Sequence, residues 1–280
     1  MHGLTPDTHV QATTKRASGG WEDVGERSSP SWYLDELVAE QKRREHQKLI
    51  RRWTAGRRPT GILKTDVFEE AHGSDQILFD LFDDTTLTIG MDVSFATVSK
   101  ARERCPRPAV TFCAADARRL PIRSNSIGLI LSTSTLDHFD TRAEFEQSLA
   151  ELVRILRPGG ELIITLDNAY NPWYYPLRWV SRRGSAPFPL GYTAPLGELK
   201  RQLQALGLAI VDSETLIHNP RLVSSGIFTG LRMALGRFAD FPIRALLWLF
   251  ALGDHLPTRW ISGCFIAVRA AKADATGPET

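Results

Sequence analysis

Short apolar runs alternate with helical patterns along residues 61–270, and this order restricts the fold more than any other feature of the sequence. In the first unit, apolar runs at 61–64 and 87–91 flank residues 75–82, whose apolar side chains recur at helical spacing. Further predicted strands lie at 109–115, 127–131, 162–166, 208–216 and 261–270. Strands joined through helices pair in parallel, whereas the last two would form a hairpin. The sequence therefore predicts the α/β class, with a doubly wound seven-stranded sheet whose last strand is antiparallel.

The segments outside this pattern have a different composition. Residues 1–30 are rich in Thr, Ser, Gly and charged side chains, so we expect a disordered leader there and a disordered tail at 271–280. Residues 31–58 are predicted to form an N-terminal helical extension capped by Ser31. We expect its polar middle, 41–46, to stand in solvent, and the alternative is a basic face for an anionic partner.

The α/β domain itself is assigned to residues 59–270. It contains a long loop at 169–196, rich in aromatic residues and proline, which we expect to belong to an active site. A helical insert at 221–258 separates the last two strands.

Composition excludes several classes of protein. A formal net charge of +2 over 280 residues is too small to indicate a nucleic-acid partner. The three cysteines, Cys105, Cys113 and Cys264, are odd in number and widely spaced, which is typical of reduced thiols and predicts neither disulfides nor a metal site. The N-terminus lacks the apolar core of a signal peptide, so we expect a cytoplasmic protein.

Polar residues follow three successive predicted strands. Asp92 ends the second strand in GMDVS and precedes Val93, while Asp116 follows the third strand in AADARRLP and precedes Ala117. Ser132 begins the polar segment after the fourth strand. An acid that ends the second strand of such a unit can accept hydrogen bonds from two ribose hydroxyls. Either acid alone is also a common turn residue.

Together with the RPGG turn at 157–160, this order of strands, helices and strand-end acids makes the α/β domain resemble the class I S-adenosylmethionine-dependent methyltransferases. The resemblance implies that Asp92 binds the ribose of S-adenosylmethionine and that Asp116 binds the adenine amino group. It also implies an enzyme that uses this cofactor for methyl transfer. The cofactor-site residues that it implies at the strand ends are Asp92, Val93, Asp116, Ala117 and Ser132.

The loop after the first strand departs from that family. The family has a glycine-rich run there, which lets the backbone approach the methionine part of the cofactor. Here the run is KTDVFEEAHG, in which Gly73 is the remaining glycine. Asp66, Glu69 and Glu70 are therefore predicted to contact the cofactor's ammonium group, because clustered acids repel one another unless a cation or a backbone amine neutralises them.

Two other classes of function are open. One is a binding or scaffold protein that keeps the fold and has lost the cofactor. The other is a dinucleotide or nucleotide-sugar enzyme that uses Asp92, which ranks last because the loop has no GxGxxG.

Few side chains are candidates for the chemistry, which would be an in-line displacement at the sulfonium methyl group. His138, just beyond the fourth strand, is the candidate general base, with a packing or capping role as the alternative. His218 and Arg221, after the sixth strand, are candidate substrate residues or ordinary turn residues. We expect a small or lipid-like acceptor, with O-methylation as the first hypothesis.

The insert contains the apolar run ALLWLFAL at 245–252. Eight residues are far fewer than the roughly 20 that cross a bilayer, so the run is either a cap on the sheet or a peripheral membrane contact through 241–252. Residues 169–270 carry eleven Lys and Arg against five Asp and Glu. Apolar helices with scattered arginines can lie in a membrane interface or cover an apolar acceptor.

Overall fold

A computed structural model describes residues 20–27, 35–73, 76–82, 86–185 and 190–274. Its centre is a seven-stranded sheet in the order β3-β2-β1-β4-β5-β7-β6. The strands are β1 (Ile62–Lys64), β2 (Thr88–Asp92), β3 (Val110–Ala114), β4 (Ile127–Thr133), β5 (Leu156–Asp167), β6 (Leu208–Leu216) and β7 (Phe265–Lys272). The first five are parallel, and β7 is antiparallel to both of its neighbours. The predicted fold class is confirmed.

Helices cover both faces of this sheet, as a parallel sheet requires. They are α1 (Trp21–Arg27), α2 (Glu36–Thr54), α3 (Phe68–His72), α4 (Ile77–Asp80), α5 (Phe95–Arg104), α6 (Arg142–Ile155), α7 (Tyr174–Val180), α8 (Leu196–Ala205), α9 (Arg221–Leu235), α10 (Asp240–Ala251) and α11 (Arg259–Ser262). Phe145 of α6 and Leu199 of α8 belong to the core on one face. Trp53 of α2 and Ile77 of α4 belong to the core on the other face.

Two local signals in the sequence are confirmed at α6 and at the turn that follows it. Thr141 and Glu144 form the capping box that starts α6, each side chain accepting the other residue's backbone N–H. Residues 157–160 interrupt the pairing of β4 with β5, and Gly159 adopts a φ of +68°, a conformation that favours glycine. The RPGG sequence thus makes the predicted turn into the buried part of β5.

The middle of α2 has a buried side and an exposed side, so the expectation that 41–46 stands in solvent is wrong for Gln41 and His46 and right for Arg44. Gln41 is 7% exposed and donates a hydrogen bond to the carbonyl of Leu247 in the insert at 3.5 Å. His46 is 1% exposed, its ring packs edge-on against Phe265, and burial lowers its pKa to about 4. A polar stripe that looks solvent-facing in sequence is covered here because the insert packs over it.

The basic side chains of α2 have partners within the chain. Lys42 and Arg43 pair with Glu69 and Asp80 at 2.7 Å each. The helix is capped by Asp35, and the predicted cap Ser31 lies outside the described residues. Acidic side chains of the same chain therefore neutralise these basic residues of α2, and no anionic partner is needed to explain them.

The expected disordered leader is wrong for residues 20–27, which form α1 and its first turn. The Glu22 carboxylate accepts the N–H groups of Phe95 and Ala96 at 2.9 and 3.0 Å. Lys100 donates to the carbonyl oxygen of Gly25 at 2.6 Å. These contacts to the start of α5 order a segment whose own composition is polar.

Some predicted boundaries shift. The helix expected at 75–82 is the short α4, and the strand expected to begin at 261 begins at Phe265, because α11 occupies the residues before it. The disordered tail expected at 271–280 is wrong for residues 271–272, which belong to β7. The remaining tail residues 275–280 and the leader residues 1–19 and 28–30 lie outside the described residues.

The insert between β6 and β7 is helical, as predicted, and comprises α9 to α11. Phe228, Ile243 and Leu247 on its inner side pack with Leu37 of α2. The insert is therefore attached to the domain through α2.

Candidate functional site

The strand order reverses between β1 and β4, and ligands of open α/β sheets bind beside such a point, outside the carboxyl ends of the strands. Thr65, which follows β1, donates to the buried Ser132 hydroxyl at 3.1 Å and lies 2.8 Å from the Thr135 hydroxyl. Ser134 adopts a φ of +49°, and its buried hydroxyl oxygen has no hydrogen-bond partner in the described part of the chain. Polar groups therefore line the sheet edge where the sequence places the cofactor.

Asp92 ends β2 and directs its carboxylate toward the loop after β1. One oxygen accepts the N–H of Ser94 at 2.9 Å, and the other accepts the N–H of Val67 at 3.3 Å. Burial, followed by the charge of Asp66, raises the pKa of Asp92 well above its usual range. A carboxylate has about four acceptor positions, so two are left for hydroxyls such as those of a ribose. The half-buried Val93 follows it directly.

Asp66 is the loop acid close enough to Asp92 to disfavour its charged form. Its own carboxylate accepts the N–H of Phe68 at 2.8 Å, at the start of α3. A bound cation would relieve the repulsion between the two carboxylates. S-adenosylmethionine carries both an ammonium and a sulfonium charge, so this pair fits the cofactor that the resemblance implies.

The structure gives Glu70 a role inside the protein in place of the cofactor contact expected for it. Its side chain is fully buried, with one oxygen 2.7 Å from the Lys64 ammonium and the other accepting the N–H of Leu78 at 3.1 Å. Lys64 is itself 1% exposed and also donates to the carbonyl of Asp66 at 2.5 Å. The cation that neutralises this acid is Lys64, the last residue of β1.

Glu69 and Gly73 also have structural partners. Glu69 pairs with Lys42 of α2 at 2.7 Å and so points toward that helix. Gly73 ends α3, where a Cβ would meet the Glu69 carboxylate at 1.8 Å. Of the three clustered acids, Asp66 is the one that the structure places beside Asp92.

Asp116 follows β3 as predicted, and Arg118 binds both of its carboxylate oxygens, with Nε at 3.0 Å from each and Nη2 at 2.7 Å from one. Arg118 also donates to Glu144 at 2.5 Å and lies over the ring of Phe139. The buried Ala117 is next in sequence. The backbone N–H of Arg118 also donates to this carboxylate at 2.8 Å, so each oxygen already accepts two hydrogen bonds from Arg118. A contact between Asp116 and an adenine amino group stays a prediction.

His138 lies beyond β4 in a 3₁₀ turn, and its ring packs edge-on against Trp21 of α1 with the ring centroids 5.1 Å apart. This is the packing role named as the alternative, while the role as base stays a prediction. Because α1 also binds the start of α5 through Glu22, it bridges the ends of β4 and β2. It therefore covers the edge at which the cofactor would bind.

A buried acid cluster that sequence reasoning did not single out lies at the ends of β4 and β5. Asp137 accepts the N–H of Asp167 at 2.7 Å through one oxygen, and its other buried oxygen has no partner among the described residues. Burial, and then the charge of Asp167, raises the pKa of Asp137 to about 6. The signal was present, because Asp167 ends a parallel strand just as Asp92 does.

Arg221 joins this cluster, and its assignment as a substrate residue stays a prediction. Its guanidinium forms an ion pair with Asp167 and lies over the ring of Phe265, 4.7 Å from the centroid. A small cavity of about 10 Å³, the space of roughly one water molecule, is lined by Asn171, Trp173, Tyr174, Leu177, Arg221 and Cys264. The long loop at 169–196 thus contributes side chains to this edge of the sheet.

His218 is not in that cluster. Its ring nitrogens lie 2.8 Å from the Ser262 hydroxyl and 2.7 Å from the Asp254 carboxylate, and a Cβ on Gly253 would touch the ring. These contacts attach the insert to the end of β6. They give His218 a structural role, and a direct substrate contact stays a prediction.

A larger cavity, about 340 Å³, lies between α6 and α8 and is lined by Arg142, Glu198, Arg201, Gln202 and Ala205. Charged side chains on two outer helices form it, at a distance in sequence from every strand end. We therefore place the functional site at the strand ends despite this cavity's size.

Two further observations concern metal sites and membrane-spanning helices. In the described ranges, no group of three or more His, Cys, Asp or Glu side chains could hold a metal ion. Across the same residues, no helix combines the length and the apolar character needed to cross a bilayer.

Comparison with known proteins finds methyltransferases among the relatives of this chain. The family model described as "Methyltransferase domain" matches residues 71–164. A probable S-adenosylmethionine-dependent methyltransferase of Mycolicibacterium smegmatis is 28% identical over 149 residues, which are 52% of this chain and 51% of that protein. The demethylmenaquinone methyltransferase of Beutenbergia cavernae is 30% identical over 107 residues, 38% of this chain and 42% of that protein. The chain thus spans about half the length, or less, of these curated relatives.

Solved structures give the same fold. A methyltransferase of Thermotoga maritima described as a possible histamine N-methyltransferase superposes with a TM-score of 0.54 at 17% identity, covering 84% of this chain and 91% of that one. The match to the methyltransferase family model over residues 71–164, the curated relatives and the sheet topology all make the chain similar to S-adenosylmethionine-dependent methyltransferases of class I.

Proposed function

We propose that this chain transfers a methyl group from S-adenosylmethionine to a small or lipid-like acceptor bound at the ends of β4 and β5. The observation that carries the proposal is that the loop after β1 folds onto the end of β2, where Val67 donates its N–H to the Asp92 carboxylate at 3.3 Å and Asp66 lies close enough to disfavour the charge of that carboxylate. A cationic ligand would relieve this repulsion. The family match supports the choice of cofactor. A relative named for demethylmenaquinone supports an apolar acceptor.

Bound S-adenosylmethionine supplies a methyl group on sulfur that is open to nucleophilic attack. The chain's own residues bind and orient it: Asp92 accepts from the ribose hydroxyls and Asp66 from the ammonium group. Thr65 and Ser132 supply hydroxyls at the switch point. The helix α1 contacts both His138 and the start of α5 next to this edge, and exclusion of water by it would strengthen each of these electrostatic contacts.

The acceptor loses a proton when a hydroxyl is methylated, and two side chains are placed to take it. His138 is the base proposed from sequence, and the adjacent Asp137 has a pKa of about 6 and a carboxylate oxygen without a partner in the described residues. Both lie beyond β4. A group with a pKa close to the working pH suits this step. We propose O-methylation, with Arg221 close to the acceptor's polar group.

Calorimetric titration with S-adenosylmethionine and its demethylated product tests the proposal. We expect both to bind, and Asp92→Ala to weaken binding at least tenfold, because charge-assisted hydrogen bonds are worth roughly 1.5–3 kcal/mol each. Glu103→Ala is the matched control, since Glu103 is an exposed acid on the helix that follows Asp92. Absence of binding by both compounds would leave the scaffold alternative. Unchanged turnover in His138→Ala, once an acceptor is found, would assign the base to Asp137.

A further inference from the structure

The outer side of the insert exposes large apolar side chains. Met233 is 84% exposed, Phe238 71% and Phe241 81%, and all three lie where α9 turns into α10. Trp248, further along α10, is 67% exposed. Contiguous apolar surface of this kind marks a contact with a partner or a membrane.

These side chains are not the remainder of a poorly packed helix. Phe241 and Trp248 lie at helical spacing on one side of α10, and the exposed Leu252 follows its last residue, whereas Ile243 and Leu247 on the other side are buried against α2. The insert thus has an inner face attached to the domain and an outer apolar face directed to solvent.

Arginines lie over aromatic rings of this surface, two of them exposed and one, Trp260, half-buried. Arg237 lies over Phe238 with 5.1 Å between the guanidinium carbon and the ring centroid, Arg259 lies over Trp260 at 4.9 Å, and Arg183 of the loop after α7 lies over Trp179 at 3.4 Å. Residues 221–262 contain five Arg against two Asp, with no Lys or Glu. Arg221, Arg232 and Arg244 pair with acids of the chain, so the cationic character of this surface comes from Arg237 and Arg259 beside the aromatic rings. An apolar surface with such arginines complements an anionic lipid head-group layer.

The apolar face continues to the acceptor edge of the sheet. Arg221 begins α9 and Tyr174 begins α7, and both line the small cavity beside Asp167. Trp173 and Trp179 on the α7 side are 43% and 61% exposed. An acceptor lying in a bilayer that touches this face would have a short path to the strand ends.

We propose that α7 and the insert α9–α11 form a docking surface for a membrane that contains anionic phospholipid, from which the acceptor is taken. The part about the acceptor rests on the proposed function, while docking itself does not. The α10 helix has 12 residues and is too short to cross a bilayer, so it lies in the interface. The aromatic rings enter the head-group layer, and the arginines contact lipid phosphates.

Flotation with vesicles tests the docking surface. We expect the full chain to float with phosphatidylcholine vesicles that contain 30% phosphatidylglycerol, far less with phosphatidylcholine alone, and less as salt is raised. Phe238→Ser with Phe241→Ser should lower the bound fraction at least tenfold, and Arg237→Gln and Arg259→Gln about fivefold each. Matched controls outside the insert are Val211→Ser on β6 and Arg123→Gln, both at exposed positions.

Several outcomes would overturn the proposal. One is that the full chain floats with neither vesicle, and another is that the insert variants float as well as the wild type. A third is self-association of the chain that the same variants abolish, because this would place a second copy of the chain on the apolar face. Titration with S-adenosylmethionine without vesicles separates the two proposals, because Asp92→Ala should lose cofactor binding and still float.

Discussion

At the scale of single residues, buried charges determine how this protein responds to pH. Asp137 has a pKa of about 6 in the folded chain, against about 3.9 for a solvated Asp. Between these values the folded state holds a proton that the unfolded state has released, so stability falls as pH rises from about 4 to 6. Above this pH range both states have released the proton, and the loss of stability is complete.

Asp137→Asn should remove this penalty, because Asn carries no charge and can still accept the N–H of Asp167. The free energy of unfolding should rise by roughly 1–3 kcal/mol at pH 8 and change little at pH 4. Urea unfolding at the two pH values measures it. Asp140→Asn, at an exposed acid of the same segment, is the control and should show no such difference. An unchanged pH dependence in Asp137→Asn would show that Asp137 ionises normally.

The Lys64–Glu70 pair shows how residue-scale electrostatics separates structure from function. Both side chains are almost completely buried, at 1% and 0% exposure, and each is satisfied by the other. Such a pair costs desolvation and contributes little net stability, but removing one partner leaves a buried charge. The loop conformation that brings Asp66 beside Asp92 therefore depends on this ion pair, in place of the glycines found in the family.

At the scale of elements, α1 lies against the segments that follow β2 and β4, next to the predicted cofactor edge. It is short, and its contacts are with other elements: Trp21 on His138, Glu22 on the first N–H groups of α5, and Gly25 against Ser94. An isolated helix of 7 residues is unstable in water, so α1 persists through these contacts.

Glu22→Ala should release α1, because it removes a negative charge and two acceptors from the N-terminus of α5. Hydrogen exchange followed by mass spectrometry should show roughly fivefold faster exchange in peptides covering 21–27, since that factor corresponds to about 1 kcal/mol. Glu26→Ala on the same helix is the control, because the contact at that position is made by its backbone carbonyl. If exchange rises equally in both variants, the carboxylate of Glu22 is not what holds α1.

At the scale of the whole molecule, α2 links the sheet to the insert. Asp35 caps α2 by accepting the N–H of Leu37 at 3.0 Å and also binds Arg232 of α9 at 2.7 Å. Arg232 in turn pairs with Asp240 at the start of α10. One carboxylate therefore connects the N-terminal helix to both long helices of the insert.

Two substitutions separate the functions of Asp35. Asp35→Asn keeps an N-cap and loses the ion pair, which should lower the free energy of unfolding by less than about 1 kcal/mol. Asp35→Ala loses both and should cost about 1 kcal/mol more. Thermal unfolding should rank wild type above Asn and Asn above Ala, with Arg244→Met, at an exposed pair with Glu40, as an unaffected control. Equal stability of all four proteins would contradict the link.

The sequence by itself determined those features of the fold that depend on residues close together in the chain. The order of strands and helices followed from hydrophobic spacing, the start of α6 from its capping box, and the position of Asp92 from its place after a strand. These signals are readable because side-chain periodicity and backbone capping involve residues a few positions apart.

Only the tertiary structure decided which polar side chains are buried and what neutralises them. Glu70 has Lys64 as its partner, Gln41 and His46 are covered by the insert and the sheet, and Asp137 meets Asp167 from a different strand. A charged or polar residue has the same local pattern whether it faces water or a buried partner. Its burial depends on groups that are distant in sequence, and the same holds for α1, which is ordered by α5 and His138.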